Sequence, residues 1–481
     1  MNAFFLTPEF LVVCLGIFLL MLDAFTTTNK HYLGWAAMIG LAVLLGYSFL
    51  TPAVVPEAMP RGFYLLDPIA IFFKRFILLA TILTIALAMD FVPIYEKFIP
   101  SSRPGAGVGE FFTLPVFACA GMMWMVSAAD FIMIFVSLEL VTICFYILVA
   151  SMRKNLGSLE AGVKYLILGA LSTGFLVYGI TWITGLTGHT SLAGITHVLP
   201  MLPVGYQVAL MFGLGLVLVA LGFKVAAVPF QFWVPDVYQG APTPVTAFVS
   251  VASKAAGFVV LLRVIEPFLT VPALEAKILL VITIMAAGTM IYGNLAALPQ
   301  VNLKRLLAYS SIAHAGYLLI GVASVQAENA GAAIAFYLAG YLFMTFLAFL
   351  VLIHVERATG GDDISDFNGL ASRSPILAGG MLVAMLSLAG LPFTVGFLGK
   401  FLIFAAAMAS YNYGLVILGL LTVACGFYYY FKVIRAMFWQ SAPAEAAAIE
   451  VSLMTRILIL LLSAAIFFFG IFPQPILEML R

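Results

Sequence analysis

The apolar residues of this chain fall into long runs, separated by short polar connections. A helix that crosses the hydrocarbon core of a bilayer needs about 20 predominantly apolar residues. By that length the sequence predicts fourteen membrane-spanning helices, numbered here as spans 1 to 14 in chain order: 4–22, 32–50, 68–90, 111–129, 131–151, 160–184, 206–240, 243–264, 273–297, 303–323, 330–355, 375–409, 412–438 and 452–472.

Spans 7 and 12 are much longer than one crossing requires, and proline interrupts both. The interruptions are VPF at 228–230 and GLPF at 390–393. Paired, proline-broken segments in corresponding positions indicate inverted repeats of discontinuous helices. We therefore expect an all-α polytopic membrane protein with two inverted five-helix repeats. The predicted division is spans 1–3 in 1–110, repeat 1 in 111–264, repeat 2 in 265–440 and the last span in 441–481.

Composition supports the membrane assignment and excludes several other classes. The sequence is 64% hydrophobic and 9% charged, whereas soluble domains carry about 25% charged residues. A net charge of +1 gives no indication of a nucleic-acid partner. The four cysteines are scattered singly, and no motif for a metal, a nucleotide or an iron–sulfur cluster is present. We expect no redox cofactor in this chain, and we interpret the first apolar run as a retained helix.

The distribution of lysine and arginine predicts the orientation, since cytoplasmic loops carry the excess. One side receives twelve of these residues: Lys30, Lys97, Arg103, Arg153, Lys154, Lys304, Arg305, Arg357, Arg373, Lys432, Arg435 and Arg456. The other receives six, namely Arg61, Lys74, Arg75, Arg263, Lys277 and Arg481. Both termini are therefore predicted to be periplasmic, in a multi-pass protein of a bacterial inner membrane. We expect Lys74 and Arg75, at the beginning of span 3, to be headgroup anchors.

Five ionisable residues lie inside spans, where a charge is costly. They are Glu139, Lys164, Lys224, Lys254 and Lys400. Each costs about 2.5–3.5 kcal/mol at a helix centre on insertion scales. Because desolvation disfavours a charged lysine and a nearby carboxylate restores it, such lysines can be switched by neighbouring charges. This pattern predicts proton translocation, with His314 as a possible relay.

Simpler interpretations of the same residues remain open. Glu139 and Lys164, on adjacent spans, could form a static buried salt bridge. Lys224, Lys254 and Lys400 could extend toward the membrane interface, and His314 could be a neutral packing residue.

Several stretches resemble one family. GFKVAAVPFQFWVPDVYQGAPTPVTAFVSVASK (222–254), SLELVTICFYIL around Glu139, NLKRLLAYSSIAHAGY and LAGLPFTVGFLGKF are similar to the antiporter-like subunits of respiratory complex I. The resemblance extends over essentially the whole chain. Within that family the chain is most similar to the N subunits. Three features carry this similarity: the motif VPDVYQGAPTPV, Lys400 in place of an acid and the lack of a long C-terminal extension.

The resemblance implies a membrane-arm subunit of a proton-pumping NADH dehydrogenase. FMN, iron–sulfur clusters and the quinone chemistry would then belong to other chains, with further membrane-arm subunits and lipid as the partners. It also implies roles: Glu139 and Lys164 as a switchable pair, Lys224 as the principal protonatable lysine, Lys254 as the connection onward and Lys400 as the terminal site. Many relatives have a histidine where this chain has Gln231, and glutamine cannot carry a proton in this range.

Two other functions are alternatives to this one. A subunit of a multi-subunit cation/proton antiporter shares the same ancestry, and the subunit-specific wording argues against it. A purely structural membrane scaffold would have no use for five costly intramembrane charges.

Overall fold

The computed structural model describes residues 7–25, 30–50, 62–99, 107–442 and 447–480. Within these ranges the regular structure is helical, and no β-strand is present. Thirteen of the described helices are long and apolar enough to cross a membrane. Span 12 is the fourteenth, divided into two shorter apolar helices. The predicted all-α fold with fourteen spans is confirmed. Arg61, Arg103 and Arg481, used above for the orientation, lie outside the described residues.

The chain divides into two compact units. The first unit comprises residues 1–226 and 240–281. Its helices are α1 (Pro8–Phe25), α2 (His31–Leu50), α3 (Pro68–Tyr95), α4 (Val108–Ser127), α5 (Phe131–Val149), α6 (Leu156–Thr187), α7 (Leu192–Val198), α8 (Gln207–Val225), α10 (Thr243–Phe248) and α11 (Lys254–Leu269).

The second unit comprises residues 227–239 and 282–481. It holds α9 (Trp233–Gly240) up to residue 239, and α12 (Pro272–Ala297) from residue 282. The remaining helices are α13 (Leu303–Ala323), α14 (Ala330–Thr359), α15 (Leu370–Arg373), α16 (Pro375–Ala389), α17 (Val395–Ala409), α18 (Tyr413–Trp439), α19 (Leu453–Ile471) and α20 (Gln474–Glu478). The predicted repeat boundaries stay a prediction.

Both long spans are discontinuous, as the prolines predict. Span 7 consists of α8, a non-helical segment at 226–232 and α9. Span 12 consists of α16 and α17, joined by residues 390–394. Gly390 has φ of 91°, in the left-handed region where glycine is favoured, and it ends α16. Proline at 229 and 392 cannot donate a backbone hydrogen bond, so neither segment can continue as a regular helix.

Span 8 has an irregularity that the sequence pattern did not predict. Residues Val249–Ser253 form a π-helical turn between α10 and α11. Such turns are rare and occur frequently at functional sites. Here the turn ends immediately before Lys254, the first residue of α11.

One end of the first unit gathers the ends of several helices. Tyr64, just before α3, forms an isolated bridge with Ala128, just after α4. Arg263, near the end of α11, donates through Nε to the carbonyl oxygen of Val126 at 3.1 Å. The side chain of Asp67 caps the beginning of α3 by accepting from the Ala70 amide at 2.7 Å. The beginning of α3 and the ends of α4 and α11 therefore lie at the same end of this unit.

Candidate functional site

Lys224 lies one residue before the end of α8, where span 7 breaks. It is buried, with 5% of its surface exposed. Its Nζ is 3.5 Å from the hydroxyl of Thr142 on α5, and it lies 6.0 Å from the ring centroid of Phe145 one turn later. The aliphatic part of the side chain packs on α11, where a Cβ added to Gly257 would be 3.2 Å from Lys224 Cγ. A buried cation is therefore held between α5 and α11.

Glu139 is partly exposed on α5 and accepts a hydrogen bond of 2.7 Å from the hydroxyl of Thr173 on α6. Thr173 also lines a small cavity together with Thr142 and Lys224. The cavity measures about 10 Å³, close to the volume that one water-sized probe occupies. Two threonine hydroxyls and this cavity therefore connect the carboxylate of Glu139 with the ammonium of Lys224.

Lys164 lies on the same helix as Thr173. Its Nζ is 2.7 Å from Oε1 of Glu160, one turn earlier, and the two side chains are 42% and 65% exposed. Exposed pairs at this spacing contribute only about 0.3–0.5 kcal/mol. The predicted pairing of Lys164 with Glu139 stays a prediction.

Lys254 is almost completely buried, with 2% of its surface exposed. It begins α11 directly after the π-helical turn, and every residue of 243–253 is buried. Gly257, against which the side chain of Lys224 packs, lies one turn after Lys254 on the same helix. The structure thus connects Glu139 with Lys224, and Lys254 begins the helix on which the side chain of Lys224 packs.

In the second unit, His314 is buried in the middle of α13. Its Nδ1 is 2.7 Å from the hydroxyl of Tyr337 on α14, and its Nε2 is 3.1 Å from the hydroxyl of Tyr430 on α18. The Tyr430 hydroxyl in turn lies 2.5 Å from that of Ser310. Both ring nitrogens therefore have a hydroxyl partner, in an arrangement that can pass a proton from one neighbour to another. The sequence pattern does not distinguish these two tyrosines from the other aromatic residues of their spans.

Lys400 uses the second helix break directly. Its Nζ donates to the carbonyl oxygens of Leu388 at 2.8 Å and Ala389 at 2.9 Å, the last two residues of α16. It also lies 5.2 Å from the ring centroid of Tyr317. The last carbonyls of a helix have no intrahelical partner and carry partial negative charge. The break thus supplies the acceptors for a buried cation, as half-helices do at ion sites in transporters.

Gln231, in the non-helical segment of span 7, is 2% exposed. Its Oε1 accepts no hydrogen bond from any residue that the structure describes. This side chain can bind a proton donor, but it cannot take the proton itself.

Lys304 and Arg305, at the beginning of α13, form ion pairs within the second unit. Lys304 is buried, with Glu356 at 3.3 Å and Asp362 at 3.6 Å. Arg305 pairs with Asp236 at 2.8 Å. No group of three or more His, Cys, Asp or Glu side chains in the described ranges could hold a metal ion.

The chain is similar to known proteins along nearly its whole length. Residues 128–426 match the family model described as "NADH:quinone oxidoreductase/Mrp antiporter, TM". The chain is 36% identical to the NADH-quinone oxidoreductase subunit N of Dehalococcoides mccartyi, over 98% of this chain and 97% of that protein.

Among the solved structures that are similar along nearly the whole chain are chains of two different complexes. A chain of respiratory complex I from Thermus thermophilus is 32% identical, with a TM-score of 0.80 over 99% of each chain. A chain of the Mrp complex from Dietzia sp. is 20% identical, with a TM-score of 0.82 over 98% of this chain and 95% of that one. The second likeness shows a shared fold alone.

Proposed function

Since the chain belongs to the family of NADH-quinone oxidoreductase N subunits, we propose that it carries protons across the membrane through Glu139, Lys164, Lys224, Lys254, His314 and Lys400. Quinone reduction on other chains of the complex would supply the driving energy. The observation that carries the proposal is the connection from Glu139 through Thr173, the small cavity and Thr142 to the buried ammonium of Lys224.

The mechanism in the first unit is electrostatic. A negative Glu139 favours the charged form of Lys224, and burial disfavours it. When a neighbouring positive charge neutralises the effect of Glu139, the ammonium of Lys224 loses that stabilisation and releases its proton. Lys164 is the proposed source of the switching charge, since it lies on the helix whose Thr173 binds Glu139. Lys254, one turn before Gly257 on α11, is the proposed acceptor.

In the second unit, His314 is the proposed relay and Lys400 the proposed terminal site. His314 can accept a proton on one ring nitrogen and release it from the other, since both nitrogens face hydroxyls. Lys400 can hold the charged form because two carbonyl oxygens solvate it. With Gln231 in place of histidine, a proton passing that point would travel on water or by way of His314.

The remaining parts of the complex follow from this assignment. FMN and iron–sulfur clusters would be bound by partner subunits, and the direct neighbours would be other membrane-arm subunits and lipid. The proposed location is a bacterial inner membrane, with both termini periplasmic. A cation/proton antiporter subunit is the second proposal, supported by the shared Mrp fold. Co-purification with flavin-containing chains, rather than with small antiporter chains alone, distinguishes the two.

The test of the proposed function is NADH-driven proton pumping by membrane vesicles, normalised to assembled complex. We expect Lys224→Ala to abolish most of the pumping while the complex still assembles. Lys277→Ala, an exposed lysine on α12, is the control and should pump as the unmodified chain does. Full pumping by Lys224→Ala would contradict the proposed role of this lysine.

A further inference from the structure

Five buried polar side chains of the second unit form a closed ring of contacts. They are His314 and Tyr317 on α13, Asn294 on α12, and Tyr429 and Tyr430 on α18, and each is at most 2% exposed. The proposed route uses His314 as its relay, and it gives Asn294, Tyr317 and Tyr429 no role. Because burying a polar side chain is costly unless its polar atoms are paired, the arrangement of these three residues requires an explanation.

Asn294 joins two of the tyrosines through the two ends of its amide. Its Nδ2 donates to the backbone carbonyl oxygen of Met290 at 2.9 Å and to the hydroxyl of Tyr317 at 3.2 Å. Its Oδ1 accepts from the hydroxyl of Tyr429 at 3.1 Å. Since a carbonyl oxygen can only accept, the atom that faces the Met290 carbonyl must be the amide nitrogen. The backbone of α12 therefore fixes the orientation of the amide and with it both tyrosine contacts.

The tyrosines complete the ring of contacts at His314. The ring centroids of Tyr429 and Tyr430 are 4.4 Å apart, and the hydroxyl of Tyr430 lies 3.1 Å from Nε2 of His314. On the other side, the ring of Tyr317 is nearly perpendicular to the imidazole of His314, with the centroids 5.9 Å apart. Asn294 is thus connected with His314 in two ways, through Tyr317 and through the pair on α18.

Tyr317 also contacts the proposed terminal site. Lys400 Nζ lies 5.2 Å from the centroid of its ring, within the distance at which an aromatic face attracts a cation. An ammonium has three N–H donors, and the carbonyl oxygens of Leu388 and Ala389 accept from it. The ring is therefore a further source of stabilisation for the charged form of Lys400. One side chain contacts both titratable residues proposed for this unit.

We propose that Tyr317 is a positioning residue for proton transfer in the second unit, and that Asn294 holds it in place. The ring of Tyr317 stabilises the ammonium of Lys400 and packs on the imidazole of His314, and it neither takes up nor releases a proton. An amide cannot carry a proton in this range either, so Asn294 acts through the hydroxyls that it binds. This inference deepens the proposed function and rests on it.

Two other interpretations of Tyr317 make different predictions. If its side chain only packs the helices together, its variants change stability, and the complex that does assemble pumps with an unchanged pH profile. If its hydroxyl passes the proton, phenylalanine at this position stops transfer as completely as a side chain without a ring. A positioning role requires the ring above all, and it requires the hydroxyl only to hold that ring.

The first experiment measures NADH-driven pumping by the intact complex in vesicles across the pH range, normalised to assembled complex. In Tyr317→Leu the charged form of Lys400 loses a partner, so proton uptake by this lysine should fail at a lower pH. We expect the alkaline limb of the profile to move down by roughly one pH unit. Tyr317→Phe keeps the ring and should keep the limb in place, with the pumping rate reduced severalfold.

Tyr292→Leu is the control for this experiment, since it removes a partly exposed tyrosine from α12, two residues before Asn294. Its pH profile should match that of the unmodified complex. An unchanged profile in Tyr317→Leu would show that the side chain only packs, and it would overturn the proposal. Equal loss of pumping in Tyr317→Phe and Tyr317→Leu would show that the hydroxyl passes the proton, and it would overturn the proposal as well.

The second experiment tests whether Asn294 acts through Tyr317, and it does not depend on assembly of Tyr317→Leu. Asn294→Leu removes both amide contacts at similar volume, so we expect pumping to fall severalfold. Combining it with Tyr317→Phe breaks no further contact between the two residues, so the double variant should pump at the rate of Asn294→Leu. Losses that multiply in the double variant would show independent roles and overturn the proposal.

Two lysine variants separate this inference from the proposed function. Lost pumping in Lys224→Ala and Lys400→Met, together with an unchanged profile in Tyr317→Leu, would refute the positioning role and leave the proposed function standing. Full pumping in both lysine variants would overturn the proposed function, and the inference with it.

Discussion

Thr173 on α6 donates a hydrogen bond of 2.7 Å to Glu139 on α5 and also lines the cavity that Lys224 lines. The hydroxyl is therefore the polar connection between the partly exposed carboxylate and the buried ammonium. Removing this hydroxyl therefore tests whether proton transport through Lys224 depends on its connection with Glu139.

Thr173→Val removes the hydroxyl and keeps the shape of the side chain. We expect NADH-driven pumping to fall severalfold with assembly unchanged, because Glu139 loses its hydrogen bond to a residue that lines the cavity. Thr181→Val is the matched control, since Thr181 is exposed on the same helix. Its hydroxyl donates to the carbonyl oxygen of Val177, one turn earlier. Equal pumping by the two variants would show that the Thr173 hydroxyl has no part in the route.

Gly257 leaves room for Lys224. An added Cβ would meet Val225 Cγ1 at 3.1 Å and Lys224 Cγ at 3.2 Å. We expect Gly257→Val to displace the lysine and to lower the thermal stability of the complex, since overpacking costs about 1–3 kcal/mol. Gly174→Val on α6 is the control, because nothing lies within 4 Å of its added Cβ. Thermal unfolding followed by size-exclusion chromatography measures the stability, and equal melting of the two variants would contradict the packing argument.

Tyr430 joins His314 to Ser310 through one hydroxyl. We expect Tyr430→Phe to slow proton pumping and to change its pH profile, because one ring nitrogen of His314 loses its partner. Tyr428→Phe on the same helix changes an exposed tyrosine and should have no effect. The measurement is the pumping rate of assembled complex across the pH range, and identical profiles for the two variants would count against a relay through His314.

Lys400 neutralises the free carbonyl ends of α16. We expect Lys400→Met to abolish most pumping and to lower stability, since an unsatisfied buried polar group costs about 1–3 kcal/mol. Lys432→Met is a useful comparison: Lys432 also donates to a backbone carbonyl, that of Gln300 at 2.8 Å, but it is only part-buried. Its loss should be tolerated better in a thermal-unfolding assay, and the reverse order would contradict this account of Lys400.

The helix breaks were predictable because proline acts locally. Pro229 and Pro392 remove backbone donors whatever surrounds them, so the over-long apolar runs containing them had to be interrupted. The buried lysines were predictable for a similar reason: in an apolar run a charge is conspicuous. These signals are readable from sequence order alone.

The partners of those lysines were not predictable. Thr173 is one threonine among many, and only the packing of α5 on α6 places its hydroxyl against Glu139. The π-helical turn before Lys254 has the sequence VSVAS. The spacing of its apolar residues does not distinguish it from a regular α-helix. The same limit applies to Lys74, which the sequence predicts as a headgroup anchor. It is buried and pairs with Glu9 of α1 at 2.5 Å, and sequence order does not show that α1 and α3 bring these side chains together.

The atoms that accept hydrogen bonds from Lys400 are backbone carbonyl oxygens. This determines which mutations can remove the site. No substitution at Leu388 or Ala389 can delete a main-chain carbonyl, so the ligands are encoded by where α16 stops and not by which residues stand there. A mutational scan across these positions would report only tight packing. Amino-acid substitutions therefore cannot detect the carbonyl oxygens that bind the ammonium. An insertion or deletion that shifts the end of α16 would remove these acceptors.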